Sequence, residues 1–178
     1  MVIKIAETTL HTKYGIYHEL LYYNGQKEII ALTMGEIAGV EDVLCRVHSS
    51  CIHGHHFNSI ECDCREQMEI SQQLIEKAGL GIIIWMDQEG KGNGHYALLK
   101  SIEHKRKGLS QADAYEAVGF NKDARDFTSA AEILTDIRVK SIRMLTDNPK
   151  KVETLTRMGI EVIGTMPLQS TKNADIIS

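Results

Sequence analysis

The apolar segment "GIIIWM" occupies Gly81–Met86 and decides the fold, because its pattern differs from that of both neighbouring segments. A continuous apolar run of this length is typical of a strand that is buried on both faces of a sheet. On its amino-terminal side, Met68, Ile75 and Ala78 share one helical face, which two glycines then end. On its carboxyl side, the glycine-rich "QEGKGNG" predicts a loop. The segment therefore predicts a buried strand that follows a helix.

Further from this strand, the two halves of the chain have different patterns. The first third has short apolar runs broken by glycines, and its Asn24-Gly25 pair is a strong hairpin signal. The second half alternates helical segments (95–108, 111–119, 125–137, 148–159) with strand segments (139–146, 160–164). We therefore expect an α/β (α+β) fold, in which a mixed sheet combines a β-rich N-terminal part with alternating strands and helices.

Composition indicates a single compact domain over residues 1–178, with 43% apolar and 25% charged residues. The net charge of −4 gives no general attraction to nucleic acid or to an anionic membrane, and 6% aromatic residues provide no stacking platform for RNA. No apolar run approaches the ~20 residues that cross a bilayer, and the start lacks a secretory signal, so we expect a cytoplasmic protein. We expect the tail, 170–178, to be loosely held.

Three of the four cysteines lie close together in sequence, at Cys51, Cys62 and Cys64, and three histidines lie among them. In a reducing compartment this C-x10-C-x-C spacing favours a metal clip over disulfides. Zinc with three protein ligands keeps a fourth position for a reactive water. The alternative is a structural zinc whose fourth ligand is a histidine of the same loop: His53, His55 or His56. The fourth cysteine, Cys45, lies apart in "VLCRVH", a segment with the pattern of a buried strand.

Phosphate binding has a candidate at "TDNPKK". Asn148 is placed to cap a helix that begins at Pro149, and the two lysines that follow add charge where free N–H groups point outward. Arg46 and Arg125 could each hold phosphate oxygens with paired N–H donors. Each feature taken alone is also compatible with an ordinary capped helix or a surface arginine.

Four motifs, in this order and spacing, resemble GTP cyclohydrolase II of riboflavin biosynthesis: "RVHSSCIHGHHFNSIECDC", "DQEGKGNG", "GFNKDARDF" and "LTDNPKKVE". The resemblance covers nearly the whole chain. It implies one zinc held by the three clustered cysteines, with a bound water that attacks C8 of a guanine and opens its imidazole ring with loss of formate. It also implies removal of pyrophosphate, usually with Mg²⁺, and a homodimer that acts on GTP or a related nucleotide.

Residue roles follow from the same resemblance. Arg125 matches the arginine proposed to attack the α-phosphate, and Asp123 matches a nearby proton carrier. A guanidinium is a poor nucleophile but an excellent clamp for phosphoryl charge, so both roles stay open for Arg125. Glu89 suits the N1–H and amino donors of guanine. The matched substrate-binding positions are Arg46, Gln67, Glu89, Lys91, Thr146 and Lys151.

The chain also departs from the family pattern. Asp87 and Lys91 stand where the family has arginines, and Ile102 stands where it has a catalytic tyrosine. Tyr96 and His104 are near Ile102 in sequence, although helical geometry does not place either beside it. His55 replaces an aspartate, and Asp147 replaces the first asparagine of "TNNP". These changes predict a divergent paralogue that keeps the formamide or accepts another nucleotide. The alternatives are a catalytically silent nucleotide-binding protein and a purely structural zinc protein.

Overall fold

The computed structural model describes residues 1–168, so the expectation about the tail falls outside the described residues. Its strands are β1 (Ile3–Thr12), β2 (Gly15–Tyr23), β3 (Glu28–Met34), β4 (Val43–Ser49), β5 (Gly81–Met86), β6 (Ile142–Leu145) and β7 (Val162–Met166). Its helices are α1 (Ile52–His55), α2 (Cys64–Ala78), α3 (His95–Arg106), α4 (Gln111–Ala117), α5 (Thr128–Asp136) and α6 (Pro149–Arg157).

The seven strands form one mixed sheet in the order β1-β2-β3-β5-β4-β6-β7. Neighbours from β1 to β5 in this order are antiparallel, whereas the pairs β5-β4, β4-β6 and β6-β7 are parallel. The β-rich N-terminal part thus forms one side of the sheet and the alternating second half forms the other. This arrangement confirms the predicted mixed α/β fold.

The strand of the "GIIIWM" segment lies in the interior of the sheet, between β3 and β4. Ile82 and Ile84 face the larger core, which packs against α5 and α6, and Ile83 faces a smaller cluster with Ile75 of α2. All three isoleucines are buried, as expected for a strand covered on both faces. Cys45 of the adjacent strand is also fully buried in the larger core, as predicted.

Local signals explain where several elements begin and end. The Asn24 side chain accepts from the backbone N–H groups of Gln26 and Lys27, which closes the predicted hairpin. Asn148 caps α6 by accepting from the Lys150 N–H at 3.0 Å, with Pro149 in the first turn. Among residues 1–168, no helix combines the length and the apolar character needed to cross a bilayer.

Candidate active site

The carboxyl ends of three parallel strands meet at one edge of the sheet, beside a cavity of about 720 Å³. β4 leads into the cysteine loop (residues 50–63), β5 leads into the glycine-rich loop (residues 87–94), and β6 leads to the start of α6. Ligands of α/β sheets bind at such an edge, and the volume is within the range of small-molecule sites. The three clustered cysteines, Arg125 and all six matched substrate-binding residues line this cavity, whereas Asp123 does not.

The three clustered cysteines converge on one wall of the cavity. Their Sγ atoms all lie within 4.8 Å of one another, and the Sγ atoms of Cys51 and Cys62 are 3.7 Å apart. Cys51 precedes α1 and Cys64 begins α2, so two helix starts present the sulfurs. Three thiols at this spacing could bind a metal ion such as Zn²⁺, for which thiolate is a preferred ligand.

Gly54 makes this convergence possible. A Cβ atom at Gly54 would lie 2.8 Å from the Cys62 Sγ, closer than packed atoms allow, and 3.2 Å from the Cys64 Cβ, which is a tight contact. The Gly54 N–H donates to the Cys51 Sγ at 3.4 Å, and Arg65 donates to the carbonyls of Gly54 and His55. The loop is therefore folded tightly around the sulfurs, with no space for a side chain in its centre.

Hydrogen bonding among the thiols separates their protonation states. Hydrogen bonds from Cys51 and then from Cys64 lower the pKa of Cys62 to about 2. The hydrogen bond to Cys62 raises the pKa of Cys51 to about 11, and hydrogen bonds to both other sulfurs raise the pKa of Cys64. A divalent cation bound by these sulfurs would displace their protons.

The loop histidines do not join the sulfurs within the described residues, where the metal-ligand group consists of the three cysteines alone. The Nε2 atom of His55 instead lies 3.1 Å from the Nε2 atom of His48. The ring of His53 packs edge-on against the ring of His95, and His56 is exposed. Among the described residues the candidate ligand set is thus three cysteines without a histidine, and a catalytic zinc would require such a set of three protein ligands.

Arg46 is buried behind the cysteines and is held by several acceptors. It donates to the Leu145 carbonyl at 2.7 Å and to the Gln67 Oε1 at 2.6 Å. Its Nε and Nη2 atoms also lie 3.3 and 3.2 Å from the Nδ1 of His48. A guanidinium can only donate, so this nitrogen accepts and His48 donates from Nε2 to His55. Burial, and then the charge of Arg46, keeps the pKa of His48 well below its usual value.

Arg125 and Asp123 form a bidentate ion pair beside the cavity. The Nε and Nη2 atoms of Arg125 donate to the two carboxylate oxygens at 3.0 and 2.6 Å. Burial alone would raise the pKa of Asp123, but the hydrogen bond and charge of Arg125 outweigh it and lower this pKa to about 2. In this geometry Asp123 orients the guanidinium that lines the cavity, and its role as a proton carrier stays a prediction.

Lys151 is the most deeply buried cation of the predicted phosphate site, with 4% of its surface exposed. Its ammonium group donates to the Val47 carbonyl at 2.8 Å and lies 5.8 Å from the centre of the Phe127 ring. The guanidinium of Arg125 lies 5.4 Å from the same ring. Burial, and then repulsion from Arg46, lowers the pKa of Lys151 to about 7. An anion in the cavity would stabilise these cations together.

The glycine-rich loop connects the cysteine loop to Arg125. Glu89 accepts from the Ile52 N–H at 2.9 Å, and its other oxygen lies 3.4 Å from the Nδ1 of His95. Gly92 has a positive φ of 83°, and a Cβ there would lie 2.7 Å from the backbone of Ala124. Only glycine fits this approach. Lys91 lines the cavity, and burial, followed by repulsion from Arg125, lowers its pKa.

The structure also locates the residues that depart from the family pattern. Ile102, which stands where the family pattern has a tyrosine, lines the cavity. Tyr96 is 65% exposed and packs edge-on against Phe120, and neither Tyr96 nor His104 is among the lining residues. Asp87 lies outside the lining and is bonded to Lys27 and Ser50.

Sequence analysis missed several lining residues: Ser49, Leu98, Gln111 and Tyr115. Residues 111–119 were predicted only as a helical segment, and no motif marked the tyrosine of α4. Ser49 carried a usable signal, because it ends a predicted buried strand just before the first cysteine. Its Oγ is buried and has no hydrogen-bond partner within the described chain.

Three thiols and several cations around one cavity are typical of a metal-dependent enzyme with an anionic substrate. A family model described as GTP cyclohydrolase II matches residues 3–167. The protein therefore belongs to the GTP cyclohydrolase II family, and the resemblance of the four motifs is confirmed.

Known proteins similar to the chain include the riboflavin biosynthesis protein RibBA of Bacillus cytotoxicus, which is 39% identical over 170 residues. This match covers 94% of the chain and 43% of the relative. RibBA of Bacillus cereus is 40% identical over 171 residues, with coverages of 95% and 43%. The chain thus spans less than half the length of these relatives.

One similar solved structure is RibBX, a two-domain 3,4-dihydroxy-2-butanone 4-phosphate synthase from A. baumannii. Its TM-score is 0.51 at 18% sequence identity, over 95% of this chain and 40% of that chain. A likeness at this identity concerns the fold alone.

Proposed function

We propose that the chain is a GTP cyclohydrolase II-like domain that opens the imidazole ring of GTP or a related purine nucleotide. The observation that carries this proposal is the placement of two unlike groups in one cavity. Three convergent thiols form one wall, and the buried Arg46 and Lys151 and the partly buried Arg125 lie around the same space. The same cavity therefore offers thiols that suit a metal with an activated water, and cations that suit phosphate.

The three sulfurs of Cys51, Cys62 and Cys64 would hold a zinc ion, which when bound supplies an activated water for attack on C8. The residues of the chain then have separate tasks. Arg125, fixed by Asp123, holds phosphate oxygens with planar N–H donors. Glu89 keeps lone pairs beyond its bond to the cysteine loop, and these can accept from the N1–H and amino group of guanine.

The experiment is incubation of zinc-loaded protein with GTP and then with a panel of nucleotides, each followed by mass spectrometry. Ring-opened formamide, deformylated amine and untouched nucleotide differ in mass, while formate and pyrophosphate are measured separately. We expect loss of purine absorbance and a ring-opened product for at least one purine nucleotide. Cys62→Ser, which removes one predicted zinc ligand, should abolish turnover. A zinc-loaded parent that changes none of the nucleotides would refute the proposal.

A second candidate function is nucleotide binding without turnover, and Ile102 in the cavity wall is the observation that favours it. An isoleucine transfers no proton, and loss of a general acid or base typically costs roughly 10²–10⁴-fold in rate. Saturable binding of a nucleotide with no released product would support this candidate. Steady formation of a ring-opened base would exclude it.

Four other expectations remain proposals. Formate and pyrophosphate release are tested by the product analysis above, and a requirement for Mg²⁺ is tested by repeating it with and without the ion. Sedimentation equilibrium across a range of protein concentrations tests the homodimer. Fractionation of cells that produce the protein tests the cytoplasmic location.

A further inference from the structure

The phenol of Tyr115 is buried at the cavity wall, and the proposed function gives it no role. Tyr115 of α4 is 1% exposed and lines the cavity together with Leu98 and Ile102 of α3. Its hydroxyl oxygen lies 3.4 Å from the point where a Cβ on Gly90 would stand. Gly90 itself lines the cavity, so the polar end of this tyrosine is at the wall and its ring is in the interior.

The Cβ position of Gly90 also relates the Tyr115 hydroxyl to Ile102. The Leu98 Cβ lies 3.8 Å from the same Cβ position of Gly90, so Leu98 and the Tyr115 hydroxyl both lie next to Gly90. Leu98 is one helical turn before Ile102 on the same face of α3. Gln111, one turn before Tyr115, donates to the Ser101 Oγ at 3.0 Å and joins the two helices. The hydroxyl thus occupies the same wall as Ile102.

The environment keeps this hydroxyl protonated at neutral pH. Burial raises the pKa of Tyr115, and the charge of Glu89 raises it further. A phenol in this state acts as a donor of a hydrogen bond or a proton and not as a base. The exposed Tyr96, by contrast, has its ring against Phe120 and lies outside the cavity lining.

We propose that Tyr115 is a catalytic residue whose hydroxyl donates a proton to the ring nitrogen that is released when the purine opens. This inference rests on the proposed function. Water first adds across the C8–N7 double bond, which places a hydroxyl on C8 and a hydrogen on N7. The C8–N9 bond then breaks, its electron pair stays on N9, and N9 takes the phenolic proton. The C8 hydroxyl returns its proton to the phenolate and becomes the formyl carbonyl, so one water is consumed.

The test is Tyr115→Phe, which removes only the hydroxyl, measured in the zinc-loaded full chain with the purine nucleotide that the parent turns over best. We expect kcat for ring opening to fall by about 10²–10⁴-fold, with KM and zinc content within threefold of the parent values. The matched control is Tyr17→Phe. Tyr17 is equally buried, its hydroxyl has no partner among the described residues, and it packs under α2 away from the cavity.

The outcomes separate this inference from the proposed function. A large loss of kcat in Tyr115→Phe with none in Tyr17→Phe supports it, and partial recovery on adding Ile102→Tyr to the first variant supports it further. A Tyr115→Phe protein that keeps kcat within threefold overturns the inference alone. A parent protein that opens no purine nucleotide overturns the proposed function and this inference together. An equal loss in both variants assigns the effect to packing and overturns the catalytic role.

Discussion

Replacing Lys151 by methionine should change the pH dependence of stability in a direction that the structure determines. The side chain is 4% exposed, and burial lowers its pKa from 10.5 to about 7. Below about pH 7 the amine is protonated in both the folded and the unfolded chain. Between about pH 7 and 10 the unfolded chain binds the proton and the folded chain does not, so the stability of the parent rises with pH in that window.

The size of the change in stability follows from the lowering of the Lys151 pKa on folding. Each pH unit in the window adds about 1.4 kcal/mol to the free energy of unfolding of the parent, and the methionine variant lacks this contribution. The parent-minus-variant difference should therefore rise by about 2–3 kcal/mol between pH 7 and pH 9. The Val47 carbonyl loses its donor in the variant, which costs about 1–3 kcal/mol at every pH and does not affect the slope.

The assay is urea unfolding at 25 °C at several pH values, followed by the fluorescence of Trp85, the single tryptophan of the chain. Metal content is held equal in both proteins. Lys150→Met, which removes a half-exposed neighbouring lysine bonded to the Asp123 carbonyl, controls for loss of one positive charge. A parent-minus-variant difference that stays constant within about 0.5 kcal/mol from pH 7 to 9 would refute the buried, deprotonated amine.

Three further predictions concern the same edge of the sheet. Gly54→Ala should lower bound zinc well below one ion per chain, because its Cβ would lie 2.8 Å from a cysteine sulfur; elemental analysis that finds full occupancy contradicts this packing. Asp123→Asn should reduce kcat at least tenfold without loss of zinc, because Arg125 loses a charged bidentate partner; unchanged turnover would show that the pair is dispensable. Asp87→Asn should change the free energy of unfolding by less than about 1 kcal/mol, because its bond to Lys27 is half exposed; urea unfolding that gives a larger loss would reveal a role beyond this ion pair.

Features with a local cause could be predicted from sequence. The "GIIIWM" segment is apolar throughout, so its burial could be predicted from its own residues. The Asn24-Gly25 turn and the Asn148-Pro149 helix start each depend on a few adjacent residues. The cysteine cluster was also accessible, because two of its members are separated by one residue and the third returns across one loop. Secondary structure and the convergence of the three thiols therefore followed from short-range patterns.

Features that depend on packing between distant segments could not be predicted in this way. From the sequence, only Tyr96 and His104 were considered as replacements for the family tyrosine, because both lie in the same helix as Ile102. Tyr115 comes from the next helix, and only the packing of α4 against α3 places it in the cavity wall. Likewise, nothing in the sequence indicated that the carboxylate of Glu89 would accept from the backbone of Ile52.

The hydrogen bond from the Ile52 N–H to the Glu89 carboxylate has a thermodynamic consequence. One carboxylate joins the backbone of the cysteine loop at 2.9 Å and faces the first residue of α3, His95, at 3.4 Å. If a metal orders the loop when it binds, and a nucleotide orders α3 when it binds, this carboxylate would transmit each restraint to the other element. By reciprocity, each ligand would then change the affinity for the other by the same factor. Titrating zinc with and without nucleotide, and nucleotide with and without zinc, would measure this change in affinity in both directions.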